Sequence, residues 1–328
     1  MTRGVGKLTN EQLKDIILSG IAPLREDVVL RPGIGVDCGA IRAGGRVCVF
    51  STDPITAASR DAGRLAVHVS LNDVAAAGAE PVGLLLTVMA PPGEEPKRLG
   101  ELVRQAQEEA AALGVEILGG HTEFTDAVTR TVLCTTAIGL SPEDGRVFSS
   151  AGARPGDELV LTKWAGMEGT AIIASDRPEF ARKHLTEKEM TFARDLARQI
   201  SVVPEGMLAA KLSVTAMHDV TEGGVLGAAW EMAEASGYGV EIDGDFVPLL
   251  DVTKKLCAAG GLNPYRLISS GCMLMAAVSG KQVVKALAAK GIQAAVIGKF
   301  VTGGNTFISN GEAKPLEPPE SDELYKMF

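Results

Sequence analysis

Twice along this 328-residue chain, short apolar runs alternate with helix-like segments, and the two series meet at a turn-forming stretch from Ser149 to Asp157. The first series runs Val47 to Ser51, a helix over 60–77, Val82 to Met89, a helix over 95–113, Val115 to Leu118 and a strand over 129–138. The helix over 95–113 is the plainest of these, because Leu99, Leu102, Val103, Ala106, Ala110 and Leu113 recur at three- and four-residue spacing. After Asp157 the alternation resumes with Glu158 to Thr162, a helix over 166–174, helices over 188–200 and 205–211, and Val214 to Met217. It continues through 224–235, 240–242, 250–259, 272–278 and 281–290 to a last strand over 293–300. The order predicts two α+β domains, 1–150 and 151–328, rather than one doubly wound sheet.

Charge and cysteine usage exclude several classes. A net charge of −9 argues against a nucleic-acid surface, which needs clustered Lys and Arg. Aromatics at 4% leave few platforms for stacked bases. The five cysteines include no CxxC pair, so neither a disulfide framework nor a zinc ribbon is indicated, and a reduced cytosol is expected. Met1-Thr2-Arg3-Gly4 opens no apolar signal core, and the longest apolar stretch, from Val82 to Pro92, is too short to span a bilayer. The expected location is cytoplasmic. Thr9 with Gln12 three residues on forms a capping-box pattern, and Gly20 ends the helix it opens.

Carboxylates and glycines fall at the ends of these apolar runs. Asp37 stands among Gly33, Gly35 and Gly39, where an Asp also serves simple turn geometry. Asp53 ends the run Val47 to Phe50 through Ser51-Thr52, in a context that equally suits an Asp-Pro turn. Asn72-Asp73 is the odder pair. Both are poor helix-interior residues, and Asp73 falls on the apolar face, where its charge requires a Lys, an Arg or a metal. Gly119-Gly120-His121-Thr122-Glu123 follows a strand and reads as a ligand-facing loop. In the second half, His218-Asp219-Val220-Thr221-Glu222-Gly223-Gly224 joins a strand to a helix, a geometry that presents N–H groups to an anion, although Thr221 also suits a plain N-cap. Lys163 and 166–170 form another loop-to-helix start. Hard cations take oxygen ligands and share them with phosphates, so the carboxylates suggest a divalent metal and a phosphate. No P-loop, GxGxxG junction or GxSxG elbow offers an alternative.

Taken in order, these segments resemble the aminoimidazole ribonucleotide (AIR) synthase superfamily, with its PurM-like fold. The superfamily includes thiamine-monophosphate kinase, selenophosphate synthetase and the HypE-type hydrogenase-maturation proteins. The resemblance rests on Gly6-Lys7-Leu8, Gly35 to Ala40, Ser51 to Pro54, Ser70 to Pro81, Gly119 to Glu123 and His218 to Gly224, and it is nearest to the HypE-like "AIR synthase-related" proteins. It implies an N-terminal domain forming half of a β-barrel that a homodimer completes, and a C-terminal α/β sandwich domain. It implies ATP and Mg²⁺ as cofactors, with Asp37, Asp53 and Asp73 as metal ligands. Asn72, Gly119, Gly120, Thr221, Gly223 and Gly224 would contact nucleotide or substrate, and Lys7, His121, Glu123, His218 and Asp219 are the candidate catalytic residues. The implied activity is ATP-dependent phosphorylation or dehydration of a small amide-like substrate, with a partner from metalloenzyme maturation. A nucleotide-binding scaffold without turnover and a thiamine-monophosphate-type kinase are the alternatives. Two departures stand out. Relatives often carry Asp or Glu where this chain has His121, and the HypE cysteine of the final residues has no counterpart after Cys272, so the resemblance implies no cyanide-ligand synthesis through a tail thiol.

Overall fold

The computed structural model describes residues 8–55, 61–319 and 321–328, so Lys7 lies outside the described residues. The chain divides into two compact units, the first formed by 26–31 and 37–147, the second by 32–36 and 148–328 with the segment up to Arg25. Thr9 caps a single turn, α1 (Asn10–Gln12): its hydroxyl accepts the Gln12 N–H, and its own N–H donates to the Gln12 side chain. The helix runs on irregularly to Gly20, as the capping box and that glycine predict.

The first unit is built on a six-stranded sheet in the order β1-β2-β3-β6-β4-β5. Its strands are β1 (Val28–Leu30), β2 (Gly39–Ala43), β3 (Arg46–Ile55), β4 (Glu80–Ala90), β5 (Glu116–Phe124) and β6 (Val132–Leu140). Two helices, α2 (Ala62–Ala76) and α3 (Pro96–Ala112), complete it. Along β6, Leu133, Thr135, Ala137 and Gly139 are buried, while the residues between them are half-buried. The buried face carries α2: a Cβ on Gly139 would come within 2.3 Å of a Val74 methyl, so only glycine admits the helix this close. The other end of α2 meets α3 the same way, at Gly63 against the Leu102 carbonyl. The α2–α3 contact is clamped by Glu109, whose carboxylate takes Arg64 at 2.9 Å and His68 at 2.8 Å. Strand β4, helix α3 and strand β5 make a βαβ unit with β4 and β5 parallel.

The structure corrects one local expectation here. Gly119 to Glu123 is not a loop but the second half of β5, paired residue by residue with Leu85 to Met89 of β4. Two glycines lower strand propensity, which hid the strand. Gly120 is required there because a Cβ would collide with the Leu86 carbonyl.

The second unit holds a seven-stranded sheet in the order β13-β12-β9-β11-β7-β10-β8. The strands are β7 (Glu158–Thr162), β8 (Val214–Val220), β9 (Gly239–Asp243), β10 (Cys272–Ala277), β11 (Ala294–Val301), β12 (Thr306–Ser309) and β13 (Glu312–Pro315). The helices are α4 (Met167–Asp176), α5 (Pro178–Arg182), α6 (Glu187–Asp195), α7 (Val203–Ala209), α8 (Gly224–Ser236), α9 (Asp251–Gly260) and α10 (Gly280–Ala288). All six residues of β10 are buried, which explains its unbroken apolar sequence. His218 and Asp219 lie within β8 rather than in the loop after it, paired with Leu274 and Met273. Among the described residues no helix is long and apolar enough to cross a membrane.

Candidate active site

Period-two alternation in β3 puts Ser51 and Asp53 on one side of the strand, and helical spacing puts Ser70 and Asp73 on one side of α2. The two pairs interlock. The Ser51 hydroxyl lies 2.5 Å from Asp73 Oδ2, 3.2 Å from Asp53 Oδ2 and 3.4 Å from the Asp37 carbonyl oxygen. Ser70 Oγ lies 3.2 Å from the same Asp53 oxygen and 2.8 Å from Thr135 Oγ1, whose own proton goes to the Ala66 carbonyl at 2.5 Å. Ser51, Asn72, Asp73 and Ser70 are all buried, Asp53 is half-buried and Asp37 is exposed. The Asp53 and Asp73 carboxylates and the Asp37 backbone carbonyl are thus gathered around one hydroxyl, with Asn72 the residue before Asp73 on α2.

Ser51 owns one proton and faces three acceptor oxygens, so at most one of those contacts is a full hydrogen bond. Two carboxylates and a carbonyl around a single hydroxyl concentrate negative charge in a largely buried place. Such an all-oxygen donor set fits a hard divalent cation. Ser51 and Ser70 are not among the site residues that the sequence points to. Their signal was the i, i+2 spacing of Ser51 to Asp53 and the i, i+3 spacing of Ser70 to Asp73.

His121 and Glu123 sit apart from this set. They share one face of β5, His121 Nε2 lies 3.4 Å from Glu123 Oε2, and both are exposed. The register runs Asp53 to Thr135 on β6, Thr135 to Leu86 on β4, and Leu86 to Gly120 on β5. Three strand spacings put His121 about 14 Å from Asp53, beyond any single ion's coordination sphere.

In the second unit, His218 Nε2 lies 3.2 Å from Glu231 Oε2 on α8, and its Nδ1 lies 3.9 Å from Asp219 Oδ1. The turn that follows holds Gly223 at φ +82° and Gly224 at φ +62°, and a Cβ on Gly224 would come within 2.6 Å of the Tyr265 carbonyl. Thr221 is not the N-cap: α8 is capped by Gly223, and the Thr221 carbonyl accepts the Gly224 N–H at 3.2 Å. The Gly223 N–H does find an anion, the Asp322 carboxylate of the same unit at 2.8 Å.

The Lys163 start is structural. Its ammonium pairs with buried Glu205 at 2.8 Å and donates to the carbonyls of Gln199 and Ser201 at 3.0 and 2.5 Å. Nearby Glu168 accepts the Ser270 N–H at 3.2 Å. Burial pushes its carboxyl up to about 6; the Ser270 bonds oppose that shift, and Asp322 and Glu222 add to it by repulsion. A raised acid pKa means that the folded state holds the proton more tightly, so this contribution to stability is present at low pH and lost as pH rises through about 6. Glu168→Gln keeps the acceptor and removes the charge. It should stabilise the protein by about 1–2 kcal/mol at pH 7.5 and leave it unchanged at pH 4, as read by denaturant melts at both values.

The AIR synthase related N-terminal domain matches residues 35–141, and the AIR synthase related C-terminal domain matches residues 154–309. The chain belongs to the AIR synthase related family. A Methanocaldococcus jannaschii protein assigned by name to hydrogenase expression and formation is 31% identical over 280 residues, which cover 83% of this chain and 80% of that one. The carbamoyl dehydratase HypE of Rhizobium leguminosarum bv. viciae is also 31% identical over 280 residues, covering 81% of this chain and 76% of its own. The crystal structure of hydrogenase maturation protein HypE in complex with ATP superposes with a TM-score of 0.68 at 20% identity, covering 97% of each chain.

Proposed function

We propose that this protein is a HypE-like enzyme that uses ATP and Mg²⁺ to phosphorylate, and then dehydrate, an amide-like substrate. The observation that carries the reading is the Ser51 hydroxyl held between the Asp53 and Asp73 carboxylates. Asp53, Asp73 and the Asp37 segment would hold the metal, which when bound supplies charge neutralisation to the phosphates. Asn72, one residue from Asp73, would orient a phosphate oxygen. In the reaction the amide oxygen attacks the γ-phosphorus and ADP leaves. The phosphorylated oxygen then departs as phosphate, and the nitrogen gives up its two protons to leave a nitrile. The chain's own part is to place the two reactants in line and to keep water out. His121, Glu123, His218, Asp219 and the Thr221 to Gly224 turn remain proposed contacts of substrate or nucleotide. The relatives named for hydrogenase formation support a carbamoyl substrate delivered by a partner protein of that machinery. The five cysteines, none of them in a disulfide, support a reducing, cytoplasmic setting.

Phosphate release from ATP, measured with and without carbamoyl and carboxamide compounds, tests the reading. Amide-stimulated, Mg²⁺-dependent release is expected. Tight ATP binding with no release under any of these conditions would favour a nucleotide-binding scaffold instead.

The same reading includes a homodimer through the first unit. Among the described residues β5 is an edge strand; Leu118 and Phe124 on it are 54% and 50% exposed, and Leu85 on the adjacent β4 is 41% exposed. Apolar side chains along an open edge favour pairing with another chain. Light scattering at micromolar concentration should give twice the 34.2 kDa chain mass, and a mass of one chain would remove the dimer.

A further inference from the structure

The anion found by the Gly223 turn belongs to the second unit's own last segment, 317–328. Asp322 Oδ2 accepts the Gly223 N–H at 2.8 Å, while Oδ1 accepts the Leu324 N–H at 2.8 Å and the Ile268 N–H at 3.2 Å. Asp322 is 3% exposed. One carboxylate therefore joins three stretches of chain: the β8–α8 turn, the 263–270 loop and the last segment. The contacts around it reinforce the join. Arg266 donates to the carbonyls of Glu317 and Pro318, and the Asn263 N–H donates to Glu323. The Tyr325 hydroxyl donates to Glu222 at 3.3 Å. Pro319 covers the turn so closely that a Cβ on Gly223 would lie 3.1 Å from the proline Cβ.

We propose that segment 317–328 is a clasp that fixes the Thr221 to Gly224 turn against the 263–270 loop, with the Asp322 carboxylate as its pin. The turn's contact with substrate rests on the function proposed above, but the clasp does not, and its test uses no activity.

The clasp is sensitive to pH, and the sign follows from the surroundings of its pin. Among the described residues, Glu222 on the turn, Glu168 on α4 and Glu323 on the segment itself are the acids around Asp322; Arg266 spends its guanidinium on carbonyls, and Lys326 pairs with Glu323. Burial pushes the Asp322 carboxyl up to about 6, its three N–H bonds oppose that, and Glu222 adds to it. The docked segment thus holds its proton more tightly than a released one. Docking is strongest in acid and weakens as pH rises through about 6.

Hydrogen exchange on the full chain without ligand, compared with each peptide's intrinsic rate, tests this at pH 5 and pH 7. In the wild type, peptides covering 221–224, 263–270 and 317–328 should lose protection together at the higher pH, on the order of tenfold. Asp322→Asn removes the charge and keeps one acceptor oxygen, while its NH2 must face one of the N–H donors, so it should abolish the pH dependence and loosen the join less than Asp322→Ala does. Asp322→Ala should release all three stretches at both values. If Asp322→Ala frays only 317–328, the clasp is refuted. If Asp322→Asn loosens all three stretches as Asp322→Ala does, the neutral-acceptor account fails, and this variant and the wild-type pH series remain decisive even if the alanine variant does not fold.

Discussion

Asp73→Asn should sharply weaken magnesium-dependent use of ATP while leaving the fold intact. In the wild type the Ser51 hydroxyl reaches Asp73 Oδ2 at 2.5 Å. The amide oxygen of the variant can still accept that proton, so the contact between α2 and β3 survives. What disappears is a negative charge in a buried place crowded with oxygens. A hard cation loses a ligand, and the phosphates lose their counter-charge. The expected loss is at least tenfold in Mg²⁺-ATP affinity and on the order of 100-fold in turnover. Thermal stability should stay level or rise, because function-bearing charge is commonly held at a cost in stability. Asp53→Asn should behave alike. Calorimetry and melting curves on the same preparations separate the outcomes: unchanged affinity in both variants would remove these carboxylates from the nucleotide site.

Lys163→Met should be among the most destabilising single changes in the second unit, by about 3–5 kcal/mol. Glu205 is 1% exposed, and Lys163 reaches it at 2.8 Å. Deleting the ammonium leaves a buried carboxylate facing the carbonyls of Gln199 and Ser201 without their donor. Lys163 also has φ +54°, a backbone cost that Met would share, so the side chain alone is being tested. A second change, Glu205→Leu, should recover most of the loss, since a buried ion pair can often be replaced by apolar residues. Chemical denaturation of the single and double variants checks this. Equal stability of Lys163→Met and wild type would show that the pair contributes nothing.

Some of this architecture was legible in the sequence because local and long-range forces agreed. The 95–113 periodicity became α3 within a residue at each end, since its apolar stripe is the face that packs. Val115 to Leu118 gave only half of β5: the rest is held by pairing with β4, and Gly119-Gly120 looks like a loop to any local rule. Strand β2 is not legible in the sequence, because Gly39 and Arg42 belong to a largely exposed strand with no apolar run. The β12–β13 hairpin carries a readable signal, Asn310-Gly311 with both residues at positive φ, beyond the apolar strand over 293–300.

The candidate site divides along the same line. Asp73 was visible because it contradicts its own helix: a carboxylate on an apolar face announces a partner. Ser51 and Ser70 were not, since serine contradicts nothing in a strand or a helix, and their meaning lies in meeting each other's aspartates. The expectation that the Gly223 turn faces an anion identified the donor and not its present occupant. Asp322 is ninety-nine residues downstream, and no spacing rule joins it to Gly223.

In the proposed site, Asp53 and Asp73, with Ser51 between them, hold magnesium for ATP. The most direct measurement of this is calorimetric titration of ATP into the wild-type protein, once with Mg²⁺ and once with EDTA. Binding at least about tenfold tighter with Mg²⁺ is expected, because the carboxylates repel bare triphosphate and a shared cation reverses that repulsion. Equal affinity in the two titrations, or none in either, would contradict the magnesium site.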